Sequence, residues 1–213
     1  VADSVSDAIL DECLRQDPAS RVACETMVTT NFCLICGEIT TKALVDYAAV
    51  ARETIRAIGY TRPEDGFDAD RVEIQCRIHT QSPDIALGTN DAVGGAGDQG
   101  MMFGGACTQT PELMPLPAAL SRALCNRLTE CVKENDLLRP DGKTQVSVEF
   151  DEKGNVEGIE TVVVSIMHSK AFAMEDLRAY IRDRVIAPVL ERYGFDIRQV
   201  PHIYINPTGN FVV

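Results

Sequence analysis

Seven glycines fall among the 18 positions from Gly88 to Gly105, and at the centre of that run stands Gly94-Gly-Ala-Gly-Asp-Gln-Gly100. Glycines let backbone N–H groups approach a phosphate or a sugar closely, and Asp98 among them offers a carboxylate to a hydroxyl or a cation. The pattern is neither a Walker-type phosphate loop nor a dinucleotide fingerprint. Read from the residues alone, it fits a flexible linker as well as it fits a ligand loop. Cys33-Leu-Ile-Cys36 has the spacing of a redox pair or of half a zinc site. No second pair has that spacing, and His79, His168 and His202 lack ligand-like intervals, so the plainer alternative is two core cysteines on a strand. By residue type Glu25 is a charge on a strand, Glu38 a solvated acid, Gln81 a loop amide and Lys143 a surface lysine, while Phe211 beside Val212 and Val213 belongs in a core.

The elements that must position these groups follow from periodicity. Val1, Val5, Ala8, Ile9 and Cys13 recur at helical spacing up to Asp17-Pro18, where proline disfavours helix in the residue before it. Val22, Cys24 and Val28 alternate with polar neighbours and Phe32 to Ile39 is a short apolar run, which predicts two strands able to pair as a hairpin. Leu44, Tyr47, Ala48, Ala51, Ile55 and Ile58 trace one face of a second helix, and Gly59 is placed to end it. Val72, Ile74, Cys76 and Ile78 then alternate strictly with Arg71, Glu73, Gln75, Arg77 and His79, a strand with one buried face and one wet or ligand-facing face. The second half repeats the order. Pro117 to Glu134 predicts a helix, and Gln145 to Phe150 and Val156 to Met167 predict strands about the Asp151 to Asn155 turn. Leu177, Ile181, Val185 and Val189 mark a helix that Pro188 should kink or shorten, and His202 to Ile205 a last strand. The fold class is therefore α+β: two similar units of helix-strand-strand-helix-strand, each with helices on one face of a mostly antiparallel sheet.

Hydrophobic residues make up 45% of the chain and charged residues 24%, which is ordinary globular usage. The formal charge of −12 argues against a broad nucleic-acid surface, and no apolar stretch approaches the roughly 20 residues that span a bilayer. The eight cysteines sit mostly inside apolar runs, with no secretory leader pattern, so the expectation is reduced thiols in a cytoplasmic protein. The start at Val1 in place of an initiator methionine leads us to expect further residues upstream.

Gly95-Ala-Gly-Asp-Gln-Gly100, followed by Met102-Phe103-Gly104, resembles the glycine-rich ATP motif of the S-adenosylmethionine synthetases. Further motifs stand in that family's order: Ala23-Cys-Glu-Thr26, Gly37-Glu-Ile-Thr-Thr41, Gly66-Phe-Asp-Ala69, Gln81-Ser-Pro-Asp-Ile85, Leu113-Met-Pro115, Leu138-Arg-Pro-Asp-Gly-Lys-Thr-Gln-Val146 and Ile205-Asn-Pro-Thr-Gly209. The resemblance covers essentially the whole chain. It divides the chain into an amino-terminal segment, residues 1–87, and a middle segment, residues 88–213, with the glycine-rich ATP loop at 94–105. It implies the family fold with its third unit missing from these residues.

The resemblance implies a reaction in which methionine sulfur attacks C5′ of ATP and expels tripolyphosphate, which is then hydrolysed to phosphate and diphosphate. A neutral thioether needs no base, so catalysis would come from alignment and from neutralising the leaving group. The implied cofactors are Mg2+ on the phosphates and K+ supporting the site. Residue by residue, Glu38 and Gln81 are the implied methionine contacts. Asp98, Asp141, Gly142, Lys143, Asn210 and Phe211 are the implied ATP contacts, with Lys143 the catalytic group on the phosphates and Phe211 the aromatic on adenine. Glu25 is the implied potassium-linked glutamate. The segment from Gln81 to Gly94 is expected to gate the site. The implied assembly is a homodimer or a dimer of dimers. The family's Gly-His-Pro-Asp-Lys motif is expected just before Val1 and its Gly-Gly-Pro segment beyond Val213, so the parent polypeptide is expected to be longer and these residues alone inactive. Asn210 stands where the family usually has arginine, which removes a charge-assisted contact worth about 1.5–3 kcal/mol. The alternative functions are a truncated or degenerate relative that binds nucleotide or pairs with an intact subunit, and a structural or redox protein built on Cys33 and Cys36.

Overall fold

The structure, a computed structural model, describes residues 1–82 and 99–212. The chain forms two compact units, Val1–Phe103 and Gly104–Val213.

In the first unit α1 (Ala2–Gln16) precedes a hairpin of β1 (Arg21–Thr29) and β2 (Phe32–Thr40), then α2 (Tyr47–Ile58), a two-residue pair of β3 (Thr61–Arg62) and β4 (Phe67–Asp68), and β5 (Glu73–His79). The main sheet has the order β1-β2-β5, with β1 and β2 antiparallel and β2 and β5 parallel. Helical spacing sends Val5, Ile9 and Cys13 of α1 and Ala51 and Ile55 of α2 into one core with Cys33, Ile35 and Ile39 of β2. The helix α2 starts later than its apolar pattern suggests, because the Asp46 carboxylate accepts from the Ala49 N–H at 2.9 Å and caps it there. Leu44, expected on the helical face, lies before this cap and is 92% exposed. Gly59 ends the helix in the left-handed region, at φ 116°. From α2, Arg52 donates to the carbonyls of Ala69 and Val72, which anchors the approach to β5.

The second unit repeats this plan. The helix α3 (Leu116–Glu134) precedes a hairpin of β6 (Leu138–Phe150) and β7 (Val156–His168). It is followed by α4 (Met174–Ile181), α5 (Ala187–Arg192) and β8 (His202–Ile205). Its sheet has the order β6-β7-β8, antiparallel and then parallel. Leu120, Leu124 and Leu128 of α3 and Leu177 and Ile181 of α4 close over Val162, Val164 and Ile166 of β7. The expected effect of Pro188 takes a specific form. A π turn over Arg182–Ile186 separates α4 from α5 and leaves the proline in the first turn of α5, where no N–H is needed. Strand β6 begins at Leu138, ahead of the Gln145 expected, and its register shifts between Leu138 and Gly142. The proline and glycine within Arg139–Gly142 argue locally against strand; the shift in pairing accommodates them.

Both units are thus α+β, with antiparallel pairs predominating and helices on one sheet face. Among the described residues no helix is long and apolar enough to cross a membrane.

Candidate functional site

Register sorts the first sheet into two faces. Glu25 pairs with Cys36, Cys36 with Arg77, and Glu38 with both Ala23 and His79. Facing residues share a side and successive residues alternate, so Glu25, Cys36, Glu38, Arg77 and His79 occupy the face opposite the core residues Cys33, Ile35 and Ile39. Glu25 and Glu38 are diagonal neighbours there, about 7–8 Å apart along the backbone, and both are exposed. Two acids beside a guanidinium and an imidazole form a face that can hold the ammonium and carboxylate of an amino acid. Arg77 and His79 were expected on the wet or ligand-facing side of a strand, and their register partners are what join them to the glutamates. Gln81 is half-buried two residues beyond β5, and Asp98 and most of the expected gate from Gln81 to Gly94 lie outside the described residues.

Gly37 is what lets the two strands meet beside Glu38. Its φ is +141°, and a Cβ built there would stand 2.0 Å from the Ala23 carbonyl oxygen.

In the second unit Lys143 pairs with Ser165, on the face away from the helices, because its neighbour Thr144 pairs with the buried Val164. Lys143 is exposed and makes no ion pair among the described residues, so its ammonium is available to an anion. Asp141, also exposed, lies in the shifted segment. Gly142 turns the other way: a Cβ there would meet Ile166 Cδ1 at 3.0 Å and Leu128 Cδ1 at 3.4 Å, so the missing side chain admits α3.

On the other side of β7 the chain leaves β8 through Asn206, buried to 2% exposure with φ 43°. Its Oδ1 accepts from the Ile166 N–H at 2.8 Å, its Nδ2 donates to the Ile166 carbonyl at 2.9 Å, and its own N–H donates to the Val164 carbonyl at 2.9 Å. A turn closed by Gly209 N–H donating to Asn206 O at 3.0 Å then brings Phe211 alongside His168, whose N–H donates to the Phe211 carbonyl at 2.9 Å. Asn210 is exposed and Phe211 half-buried. Asp141, Gly142 and Lys143 on β6, and Asn210 and Phe211 beyond β8, therefore flank the carboxyl end of β7 from its two sides.

The cysteine pair does not make a site. Cys33 and Cys36 lie three residues apart on an extended strand and face opposite sides of the sheet, roughly 10 Å apart along it. A disulfide needs about 4.4–6.8 Å between Cα atoms. All eight cysteines are free thiols, and burial pushes Cys24 up to about 11. Among the described residues no group of three or more His, Cys, Asp or Glu side chains could hold a metal ion, and Glu25 offers a single carboxylate.

Residues 1–83 match the family S-adenosylmethionine synthetase, N-terminal domain, and residues 93–211 match S-adenosylmethionine synthetase, central domain. The S-adenosylmethionine synthase of Fusobacterium nucleatum subsp. nucleatum is 46% identical over 215 residues, an alignment that takes in 100% of this chain and 55% of that protein. The chain thus spans about half the length of the curated relative it matches. The chain belongs to the S-adenosylmethionine synthetase family.

Proposed function

We propose that the protein containing this chain makes S-adenosylmethionine from ATP and methionine, with release of phosphate and diphosphate. The observation that carries this reading is the exposed Lys143 ammonium, which makes no ion pair among the described residues, on the helix-free face of a sheet whose adjoining edge carries Asp141 and Phe211, in a chain of this family. A lone pair on methionine sulfur forms the S–C5′ bond as the C5′–O5′ bond breaks, and its electrons leave with the tripolyphosphate. Lys143 holds a phosphate oxygen and takes up charge as it develops on the leaving group. Asp141, with Asp98, accepts from nucleoside hydroxyls, and the ring of Phe211 packs on the adenine. Glu38 receives the methionine ammonium and Gln81 its other polar groups, which fixes the sulfur for in-line attack. Gly142 contributes by letting α3 approach, and Asn210 lies next to the adenine wall with a neutral amide. Glu25 would supply one oxygen to a supporting K+, and Mg2+ would travel with the triphosphate; no step here depends on either ion. Assembly as a homodimer or a dimer of dimers in the cytoplasm completes the proposal.

The test is a product assay on the full reading frame with ATP, methionine, Mg2+ and K+. Lys143→Gln should lower turnover by about 10²–10³ while leaving the thermal midpoint in place, because the side chain is exposed and makes no ion pair among the described residues. Unchanged turnover in that variant would remove Lys143 from the chemistry. The second reading, a relative that binds nucleotide without turning it over, is favoured by one residue, Asn210 in the arginine position. It predicts nucleotide affinity with no product from the wild type.

A further inference from the structure

We propose that His168 is a positioning residue for nucleotide binding: its imidazole fixes the backbone of Phe211 and thereby the ring that packs on adenine. The inference rests on the reading of Phe211 given above. His168 is the last residue of β7 and only 2% of its surface is exposed. Its Nδ1 lies 3.0 Å from the Ser169 carbonyl oxygen, and a carbonyl can only accept, so Nδ1 carries the proton. Nε2 is then a bare lone pair, and the Phe211 N–H donates to it at 3.2 Å. The backbone N–H of His168 meanwhile donates to the Phe211 carbonyl at 2.9 Å. One residue thus satisfies both backbone polar groups of Phe211 and is held in a single tautomer while doing so.

The arrangement continues a ladder after the strand pairing has ended. Pairing of β7 with β8 stops at Val164 and Ile205, yet Ile166 is still satisfied on both its polar groups by the side chain of Asn206. Two residues further on, the His168 ring and the His168 backbone N–H together do the corresponding work for Phe211. Between these two anchors lie only Pro207, Thr208, Gly209 and Asn210, of which Gly209 sits at φ 99°. Released from the imidazole, Phe211 would have to be ordered each time a base bound, and preorganisation is the usual means of avoiding that cost.

The two ring nitrogens can be tested separately. In His168→Asn the amide matches Nδ1 and keeps the Ser169 carbonyl contact, but it does not reach Phe211. In His168→Gln the amide oxygen matches Nε2 and can accept from the Phe211 N–H. Titration calorimetry on the full-length protein, with a non-hydrolysable ATP analogue and with inorganic tripolyphosphate, should show H168N weakening the analogue by about 3- to 10-fold, the equivalent of one lost hydrogen bond. H168Q should stay within about twofold of wild type, and tripolyphosphate should bind all three proteins alike because it has no base to stack. In turnover, KM for ATP should rise in H168N with kcat little changed. Analogue affinity in H168N equal to wild type overturns the proposal. So does an equal loss for tripolyphosphate, or a loss in H168Q as large as in H168N, since either marks general loosening of the fold. Phe211→Ala separates the two levels. If it leaves analogue binding intact, the adenine reading of Phe211 is wrong; if it weakens binding while H168N does not, only the role of His168 is wrong.

Discussion

Replacing Gly37 by alanine tests the geometry that holds Glu38. The new Cβ would stand 2.0 Å from the Ala23 carbonyl oxygen, 3.1 Å from its carbon and 3.3 Å from the Cys24 Cα, all of them backbone atoms of β1. No side chain can rotate away, because nothing in the way is a side chain. At φ +141° an alanine also sits where L-residues rarely go, a strain of about 1–3 kcal/mol. Relief requires β1 and β2 to part near the Cys24–Gly37 pair, which sacrifices one or two ladder hydrogen bonds at about 0.5–1.5 kcal/mol each. The sum is about 1.5–6 kcal/mol. For a unit of this size 1 kcal/mol moves the midpoint by about 4–8 °C, so the thermal transition of the first unit should fall by about 6–48 °C. Gly154→Ala is the control. That glycine also has positive φ, at +82°, but its Cβ would meet nothing within 4 Å, so only the strain of about 1 kcal/mol remains. Circular dichroism melts of both variants decide the matter. A Gly37→Ala midpoint no lower than that of Gly154→Ala would refute the claim that close strand approach demands a glycine.

Three further outcomes follow from the same geometry. Asn210→Arg should tighten nucleotide binding by about 10-fold or more, the value of one charge-assisted contact, as read by calorimetry with the ATP analogue; no change would mean that this position does not face the phosphates or the base. Asn206→Asp places a carboxylate oxygen against the Ile166 carbonyl, now 2.9 Å from the amide nitrogen, and should destabilise the second unit by about 3 kcal/mol at neutral pH in urea unfolding. The Arg15 guanidinium and then Gln16 hold Glu12 at about 2, and Arg198 holds Asp196 at about 2. Both carboxyls are depressed in the folded state, so their contribution is present above the ordinary carboxylate range and lost as pH falls from about 4 towards 2. Urea midpoints should drop across that window in wild type and drop less in a Glu12→Gln, Asp196→Asn double variant.

The parts of this fold with a long period were legible in the sequence. Val5, Ile9 and Cys13 declared α1, and Val72 through Ile78 declared the last strand of the first unit, because burial of one face repeats at the period of the element. What escaped was set by tertiary pairing. The strands β3 and β4 are two residues each and have no period to detect. The start of β6 is masked by Pro140 and Gly142, which only the shifted register makes compatible with a strand. Of the candidate site, the resemblance named Glu38, Lys143 and Phe211, but their residue types alone read as surface or core. His168 escaped because histidine was weighed as a metal ligand, whereas the informative signal was parity: it continues the buried alternation Val162, Val164, Ile166 and so had to find partners inside.

The duplicated plan explains why the candidate residues gather where they do. A hairpin alone would send neighbouring strands in opposite directions. The helical return after β2 and after β7 instead brings β5 and β8 back parallel to those central strands. Two carboxyl ends then lie side by side in each sheet. Glu38, His79 and Gln81 collect at or just beyond one such edge, and His168, Asn206 and Phe211 at the other, with Asp141 and Lys143 reaching the second from the start of β6. Residues just past a strand end are freed from the alternation that packing imposes, while their backbone is still fixed by the ladder behind them. Gly142 and Lys143 show the division most sharply. One residue gives up its side chain so that a helix can close the core, and the next, turned to the opposite face by the pleat, presents a charge that nothing among the described residues neutralises.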